Sequence, residues 1–501
     1  MLLVDNAYLF MHSILQIVNK YNEILKYYYS FFIKTMITIA PENSKKHALQ
    51  TTELVLKASV AQRVFETFPQ QTIDNIVRDI GKYVYDNAEL LSQMAIEDTG
   101  IGDLQDKIQK CRSKSAVIWN NLKGKKSRGI IGEDSEKGLV FVAKPMGVIG
   151  AITPVTNPVV TPMCNAMFAL KCGNAVIIAP HPKGQRCAEY LGGAFMDIVQ
   201  KHGGPENLVQ VVKNGSVETT QALMQAVDVI VATGGGAMVK SAYSSGKPAF
   251  GVGPGNVPVI IDRDVDLDAV AAKIVTGASF DNSLICSHEQ CVLAPEESYD
   301  EAVAAFINTG KVWYSADEAV VEAFRNTVFH DGKLNPAVIG LAAWKVAAAA
   351  GIGIPETTRL ILLKAKGAGA ADILCKEKLC PVVSMLPYGS FEEALAMAQA
   401  NLEAEGKGHS AVIHSNNEDH IQAAGLALTV SRLVVNQPSS TSAGGSFLNG
   451  FSPTTTLGCG SWGGNSISEN LNYTHLMNVS EIGKVIENKR APASPAEIWD
   501  S

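Results

Sequence analysis

The segment Phe280-Asp-Asn-Ser-Leu-Ile-Cys-Ser-His-Glu-Gln290 places Cys286 in a loop just ahead of the apolar run Cys291–Leu293. A thiol in such a loop could meet a substrate, and thiolates form covalent acyl intermediates readily. A free cysteine is nevertheless more often buried and inert, so this segment alone leaves both readings open. His288 lies next but one, but a nucleophile and its base are usually neighbours in space and seldom in sequence. A second segment runs Lys144-Pro-Met-Gly-Val-Ile-Gly-Ala-Ile-Thr-Pro-Val-Thr-Asn-Pro-Val-Val-Thr-Pro162. It holds Asn157 between helix-hostile residues, where an amide could be kept in a fixed direction as an oxyanion donor. By itself a turn asparagine is the simpler reading. Gly251, Gly253 and Gly255 do not spell G-x-G-x-x-G, so they predict a tight backbone approach rather than a phosphate cradle. Cys375, Cys380, His409 and His414 have no C-x2-C pair among them, and no metal site is expected. Cys459, Glu289 and Gln290 read as structural.

These residues need elements to position them. Short apolar runs recur at Val148–Ile152, Ala175–Ala179, Leu208–Val212, Val229–Ala232 and Val257–Ile261, separated by helical periods such as Cys187–Gln200 and Glu218–Ala226. Five strands alternating with helices predict a parallel sheet covered on both faces, as in nucleotide-binding domains. A second series follows at Val292–Ala294, Leu360–Leu363, Val382–Leu386, Ala411–His414 and Leu433–Val435. Ser298 with Glu301, and Ser390 with Glu393, have the spacing of capping boxes. Val84–Glu97 places Leu90, Leu91, Met94 and Ala95 on one helical face, with Gly100 as a stop signal. The expected organisation is α/β, with two parallel-sheet domains. The first spans 37–261 and carries a hairpin near 125–143, the second spans 262–435, and a C-terminal return covers 436–501.

Composition narrows the function classes. The chain of 501 residues has 42 basic and 49 acidic side chains, a net charge of −7, and so no basic excess for general nucleic-acid binding. Nine scattered cysteines are too few and odd in number for a disulfide framework, which points to a reducing cytoplasm. The uncharged stretch Pro145–Leu170 is long enough to cross a bilayer, but Pro145, Pro154, Pro158 and Pro162 interrupt it. It reads as a buried strand, a loop and a helix start. Residues 1–36, with Tyr27, Tyr28, Tyr29, Phe31 and Phe32, form an extension of different composition. A partner-binding helix, a neutral extension and a membrane-surface helix all remain open for it.

Taken together the motifs are far more specific. Thr153-Pro-Val-Thr-Asn-Pro158, Ala179-Pro-His-Pro-Lys183, Ala232-Thr-Gly-Gly235, Phe250-Gly-Val-Gly-Pro-Gly-Asn256, Phe280-Asp-Asn282 with Cys286, Cys375-Lys-Glu-Lys-Leu-Cys-Pro381 and Thr456-Leu-Gly-Cys-Gly-Ser-Trp-Gly-Gly-Asn465 resemble the aldehyde dehydrogenase superfamily, specifically its CoA-acylating branch. The resemblance implies a fold of two Rossmann-like domains plus an oligomerisation hairpin. It implies Cys286 as the nucleophile and Asn157 as the oxyanion donor. It further implies cofactor contacts at Thr153, Pro154, Pro180, Lys183, Thr233, Gly234, Gly253 and Glu377, and a substrate-side place for His409. NADP or NAD would be the cofactor and coenzyme A the co-substrate.

In the parent family the segment corresponding to Gly251–Asn256 carries a Glu that activates water, and this chain has no acid there. Without that base a thiol outcompetes water for the thioester on Cys286. Asn157-Pro-Val-Val-Thr-Pro-Met-Cys-Asn-Ala-Met167, Asn436-Gln-Pro and the ending Glu497-Ile-Trp-Asp500 look most similar to acylating succinate-semialdehyde dehydrogenases. Sulfoacetaldehyde, acetaldehyde and propanal are the alternative substrates. Lys183 and Arg186 lean towards NADP. The resemblance implies a homodimer or homotetramer, cytoplasmic or housed in a bacterial microcompartment. A cysteine acyltransferase or thioesterase without nicotinamide, or an idle scaffold, are the competing classes.

Overall fold

The computed structural model describes residues 42–487, 494 and 496–499; the extension expected over 1–36 lies outside them. Four helices come first: α1 (Glu42–Phe65), α2 (Gln70–Asp86), α3 (Ala88–Thr99) and α4 (Leu104–Leu122). Ile73, Ile76, Val77, Ile80 and Val84 recur at helical spacing and bury one face of α2. The helix expected over 84–97 is broken at Asn87. There the side-chain amide donates to Tyr83 O at 2.8 Å, offering the backbone an alternative to the helix. After that break Leu91, Met94 and Ala95 point inward while Leu90 stays about half exposed, which corrects the expected face.

A hairpin of β1 (Gly129–Asp134) and β2 (Leu139–Pro145) leads into the first parallel sheet. Its strands are β3 (Val148–Thr153), β4 (Ala175–Pro180), β5 (Val209–Val211), β6 (Val229–Thr233) and β7 (Ala249–Val252), in the order β5-β4-β3-β6-β7. The chain winds outward from β3 in both directions, so the strand order reverses between β3 and β6. In open α/β sheets that crevice, beyond the carboxyl ends of the strands, is where nucleotides bind. After β3 the chain forms a loop and then helix α5 (Val160–Lys171), every residue of which is buried. That is the strand, loop and helix start expected for the uncharged stretch, and no helix among the described residues is long and apolar enough to cross a membrane.

The second sheet has seven strands, all parallel: β8 (Val257–Ile261), β9 (Glu289–Pro295), β10 (Val312–Ser315), β13 (Leu360–Lys364), β14 (Val382–Tyr388), β15 (Gly408–His414) and β16 (Val430–Val435). A small antiparallel pair, β11 (Phe329–His330) and β12 (Lys333–Leu334), forms a separate sheet. The run at 257–261 therefore does not close the first sheet. It pairs with β9 and β15 in the second, while β7 takes the fifth place in the first. An unbroken apolar run looks the same in any fully covered parallel sheet, so pattern alone could not assign it. Asn256 anchors the crossing between sheets, its amide donating to Cys375 O at 2.7 Å and Asn401 O at 2.9 Å.

Neither expected capping box closes, although Ser390 does cap its helix. A short 3-10 turn at Glu296–Ser298 coils the chain before the helix Tyr299–Asn308, and Ser298 makes no side-chain cap bond. Ser390 accepts from Glu393 N–H at 3.2 Å, but the Glu393 carboxylate takes the N–H of Gly389 instead of closing the box. Finally β17 (Met477–Gly483) returns to pair antiparallel with β2, joining the hairpin within the chain.

Candidate active site

The nucleophile loop follows helix Leu267–Ser279 and turns sharply through Asp281, Asn282 and Ser283, whose φ values are 52°, 51° and 63°. Three successive non-glycine residues in the left-handed region cost about 1–2 kcal/mol each. Buried charge holds them there. The Asp281 carboxylate, fully buried, meets the ammonium groups of Lys107 at 3.1 Å and of Lys110, both from α4. Its other oxygen accepts the N–H of Asp103 at 2.9 Å, and its own N–H donates to Asp106 at 2.9 Å. The loop then delivers Cys286 to a cavity of about 320 Å³ lined from both domains, Asn157 and Thr233 on one side and Leu457 on another.

Cys286 Sγ lies 3.3 Å from Nε2 of His409, the second residue of β15. Burial, followed by the Glu377 and Cys459 charges, pushes the thiol up to about 12, with Arg432 opposing them. Burial and then Arg432 hold His409 well below its usual value, so its imidazole is neutral at neutral pH and keeps one ring nitrogen free as a hydrogen-bond acceptor. Nδ1 is 3.1 Å from Ser410 Oγ; with Nδ1–H donating there, Nε2 turns its lone pair to the thiol. Arg432 fixes this wall by donating to the carbonyls of His409 and Gly458, both at 2.7 Å.

Gly255 explains the glycine-rich segment. A Cβ there would lie 1.8 Å from the carbonyl oxygen of Cys286, so only glycine lets the two backbones pass. Its N–H donates to the Glu377 carboxyl at 3.0 Å, and burial raises that carboxyl to about 8. Gly253 lines the cavity with open space where a Cβ would stand, so no side chain in this segment offers a base to water.

The cavity brings together Asn157, Pro154, Thr233, Gly234, Gly253, Glu377 and Cys286 from the residues expected in sequence. His409 reaches it through the thiol. Thr153 and Pro180 end β3 and β4, buried or nearly so, and Lys183 sits on an exposed turn beyond β4; none of these three lines the cavity itself. Sequence reasoning missed Lys107, Lys110 and Lys114. They recur at helical spacing in α4 and would ordinarily read as a solvated stripe, but Lys110 and Lys114 both open on the cavity. Lys114 Nζ donates to Gly444 O at 2.9 Å and Gly445 O at 3.3 Å, and burial pushes it down to about 8. Ser440 Oγ, buried on the same cavity, has no partner among the described residues.

The residues present fit a nicotinamide dinucleotide. The cavity opens at the β3/β6 switch point, where Thr233 ends β6, Gly234 follows it and Gly253 follows β7, leaving room for close backbone approach. A cysteine and an asparagine amide facing such a crevice, on two Rossmann-like sheets, are the elements of a cysteine-dependent dehydrogenase. Comparison with known proteins makes this specific. The model of the aldehyde dehydrogenase family matches residues 35–321, and the chain belongs to that family. It is 53% identical over 447 residues to the succinate-semialdehyde dehydrogenase (acetylating) of Clostridium kluyveri, covering 89% of this chain and 98% of that one. The structure of an acetylating aldehyde dehydrogenase from Geobacillus thermoglucosidasius superposes with a TM-score of 0.86 at 31% identity, over 90% of this chain and all of that one. A Rhodopseudomonas palustris propionaldehyde dehydrogenase with bound CoA and an acylated cysteine has a TM-score of 0.78 at 26% identity, covering 87% of this chain and 97% of that one.

Proposed function

We propose that this chain catalyses the reversible, CoA-dependent oxidation of succinate semialdehyde to succinyl-CoA with NADP or NAD. The acylating chemistry follows from the site. His409 Nε2 is placed to accept the proton of Cys286 as the sulfur adds to the aldehyde carbonyl, giving a thiohemiacetal. The Asn157 amide and the Cys286 backbone N–H serve the developing oxyanion, each such donor contributing about 2.7–4 kcal/mol to barrier lowering. Bound nicotinamide supplies the hydride acceptor, for which Thr233, Gly234 and Glu377 form the adjoining wall. Loss of hydride leaves a thioester on Cys286. Gly253 presents no carboxylate to activate water, and Glu377 is held by Gly255 and raised by burial, so the thiol of CoA is the competent nucleophile. Once the Cys286 proton has passed from His409 to solvent, Nε2 is placed to take the proton of the CoA thiol as its sulfur attacks the thioester, and to return it to the departing Cys286.

The observation that carries the substrate is Lys114. A carboxylate entering a partly apolar cavity needs a cation or several donors. Two of the three ammonium N–H groups of Lys114 are used by Gly444 and Gly445, which leaves one for the cavity, and the Ser440 hydroxyl on the same cavity has no partner among the described residues. Similarity to the Clostridium kluyveri enzyme supports the same substrate. For the cofactor, Arg186 is engaged by Glu97 at 2.9 Å, which leaves Lys183 of that pair for a 2′-phosphate. Assembly as a homodimer or homotetramer accords with Ile130, Val479 and Ile482, all exposed on the β1-β2-β17 sheet. A cytoplasmic setting accords with nine unpaired thiols. Absorbance at 340 nm with succinate semialdehyde, sulfoacetaldehyde and propanal, with and without CoA, tests the reading. The expected result is CoA-dependent turnover ranked in that order and absent in Cys286→Ala; equal turnover without CoA would overturn it.

A further inference from the structure

Lys110 occupies an unusual place. Its side chain is 6% exposed, and its ammonium bridges two loops that must meet for catalysis. On one side it contacts the Asp281 carboxylate of the nucleophile loop, and on the other it donates to Asn157 Oδ1 at 2.7 Å. An ammonium can donate but never accept. The carbonyl end of the Asn157 amide must therefore face Lys110, and the NH2 end must turn away from it. A flipped amide would set N–H against N–H in a buried site, where the electrostatic cost is high. The other contact of that amide, to Thr156 Oγ1 at 3.4 Å, is too long to hold the orientation alone.

We propose that Lys110 is a positioning residue for the oxyanion donor: it aims Asn157 Nδ2 at the thiohemiacetal oxygen and, by drawing electron density towards Oδ1, makes those N–H groups stronger donors. Because the same ammonium grips Asp281, it also keeps the Asn157 loop in register with the loop that carries Cys286. Lys107 still pairs with Asp281 when Lys110 is removed, so the buried carboxylate keeps a cation. The inference rests on the acyl-transfer reading above, in which Asn157 serves the oxyanion.

The test is a double-mutant cycle on the full-length enzyme, with kcat and KM measured for succinate semialdehyde in the presence of CoA and NADP or NAD. Lys110→Met should lower kcat about ten- to a hundredfold with KM changed less than about threefold, because the contact matters most when the oxyanion forms. Asn157→Ala should cost about a hundredfold or more. The double variant should be no slower than Asn157→Ala, since Lys110 has nothing left to aim. Losses that multiply, or a Lys110→Met enzyme with unchanged kcat beside a slow Asn157→Ala, would overturn the positioning role and leave the acyl-transfer reading standing. A fully active Asn157→Ala would overturn both. Should Lys110→Met not fold, Lys110→Arg, which retains a donor and a charge, must keep kcat within about tenfold of wild type; a folded Lys110→Arg enzyme with a larger loss also overturns the proposal.

Discussion

Replacing Lys114 by methionine separates substrate recognition from catalysis. The side chain keeps its length and loses its charge and its donors. If the third ammonium N–H holds the distal carboxylate of the substrate, Lys114→Met removes one charge-assisted hydrogen bond, worth about 1.5–3 kcal/mol. At about 1.4 kcal/mol per factor of ten, kcat/KM for succinate semialdehyde should fall roughly 10- to 150-fold. Propanal carries no carboxylate, and its kcat/KM should move by no more than about threefold. The pH dependence provides an independent check. Burial lowers Lys114 to about 8, so the group is a cation below that pH and neutral above it. In the wild type kcat/KM for succinate semialdehyde should decline above pH 8 relative to propanal, and the variant should lose that relative decline. Both substrates can be followed at 340 nm with saturating CoA. Lys114 also anchors the carbonyls of Gly444 and Gly445. If both substrates lose activity equally, that anchoring is its whole role and the carboxylate assignment is refuted.

Two further outcomes follow from the geometry. Gly253 lines the cavity with open space at its Cβ position, so Gly253→Glu should install the base this site lacks and produce NAD(P)H from aldehyde without CoA, detectable as CoA-independent absorbance; an enzyme that still requires CoA would show that the missing carboxylate is not what excludes water. Glu289 is buried and raised to about 8, with one oxygen on Ser439 N–H at 2.6 Å and the other unpartnered. The folded state therefore holds a proton that the unfolded state releases above about pH 4.5. Stability is fully present below that pH and is lost as pH rises towards 8, by up to about 1.4 kcal/mol per pH unit for this group. Glu377 adds a loss of the same sign. Glu289→Gln should make the denaturation midpoint less sensitive to pH between 5 and 8, and an unchanged pH slope in urea titrations would contradict this.

Several features are legible in the sequence, because they depend on local chemistry. Cys286 stood in a loop before an apolar run, Asn157 among residues that cannot continue a helix, and Gly255 in a segment whose glycines suggested a close backbone approach. The structure brings Cys286 and Asn157 to one cavity and sets the Gly255 backbone against the Cys286 carbonyl. Most strand positions were legible too, since fully covered parallel strands must be nearly continuous apolar runs. The same property hid the place of Val257–Ile261, which satisfies either sheet equally well.

Lys107, Lys110 and Lys114 show where sequence stops. Cations at helical spacing ordinarily mark a solvated face, and no local rule says otherwise. Here α4 lies against the nucleophile loop, so Asp281, some 170 residues later, pairs with Lys107 and Lys110 and offsets part of the cost of burying them, while Lys114 is held by the carbonyls of Gly444 and Gly445. His409 is the same kind of case: 123 residues separate it from Cys286, yet the pair is 3.3 Å apart. The sequence by itself determined the types of group available, the loops able to display them and the absence of an acid in Gly251–Asn256. Which groups touch, which way the Asn157 amide points and which lysines lose their water were decided only by tertiary structure, because each depends on desolvation and pairing across distant segments.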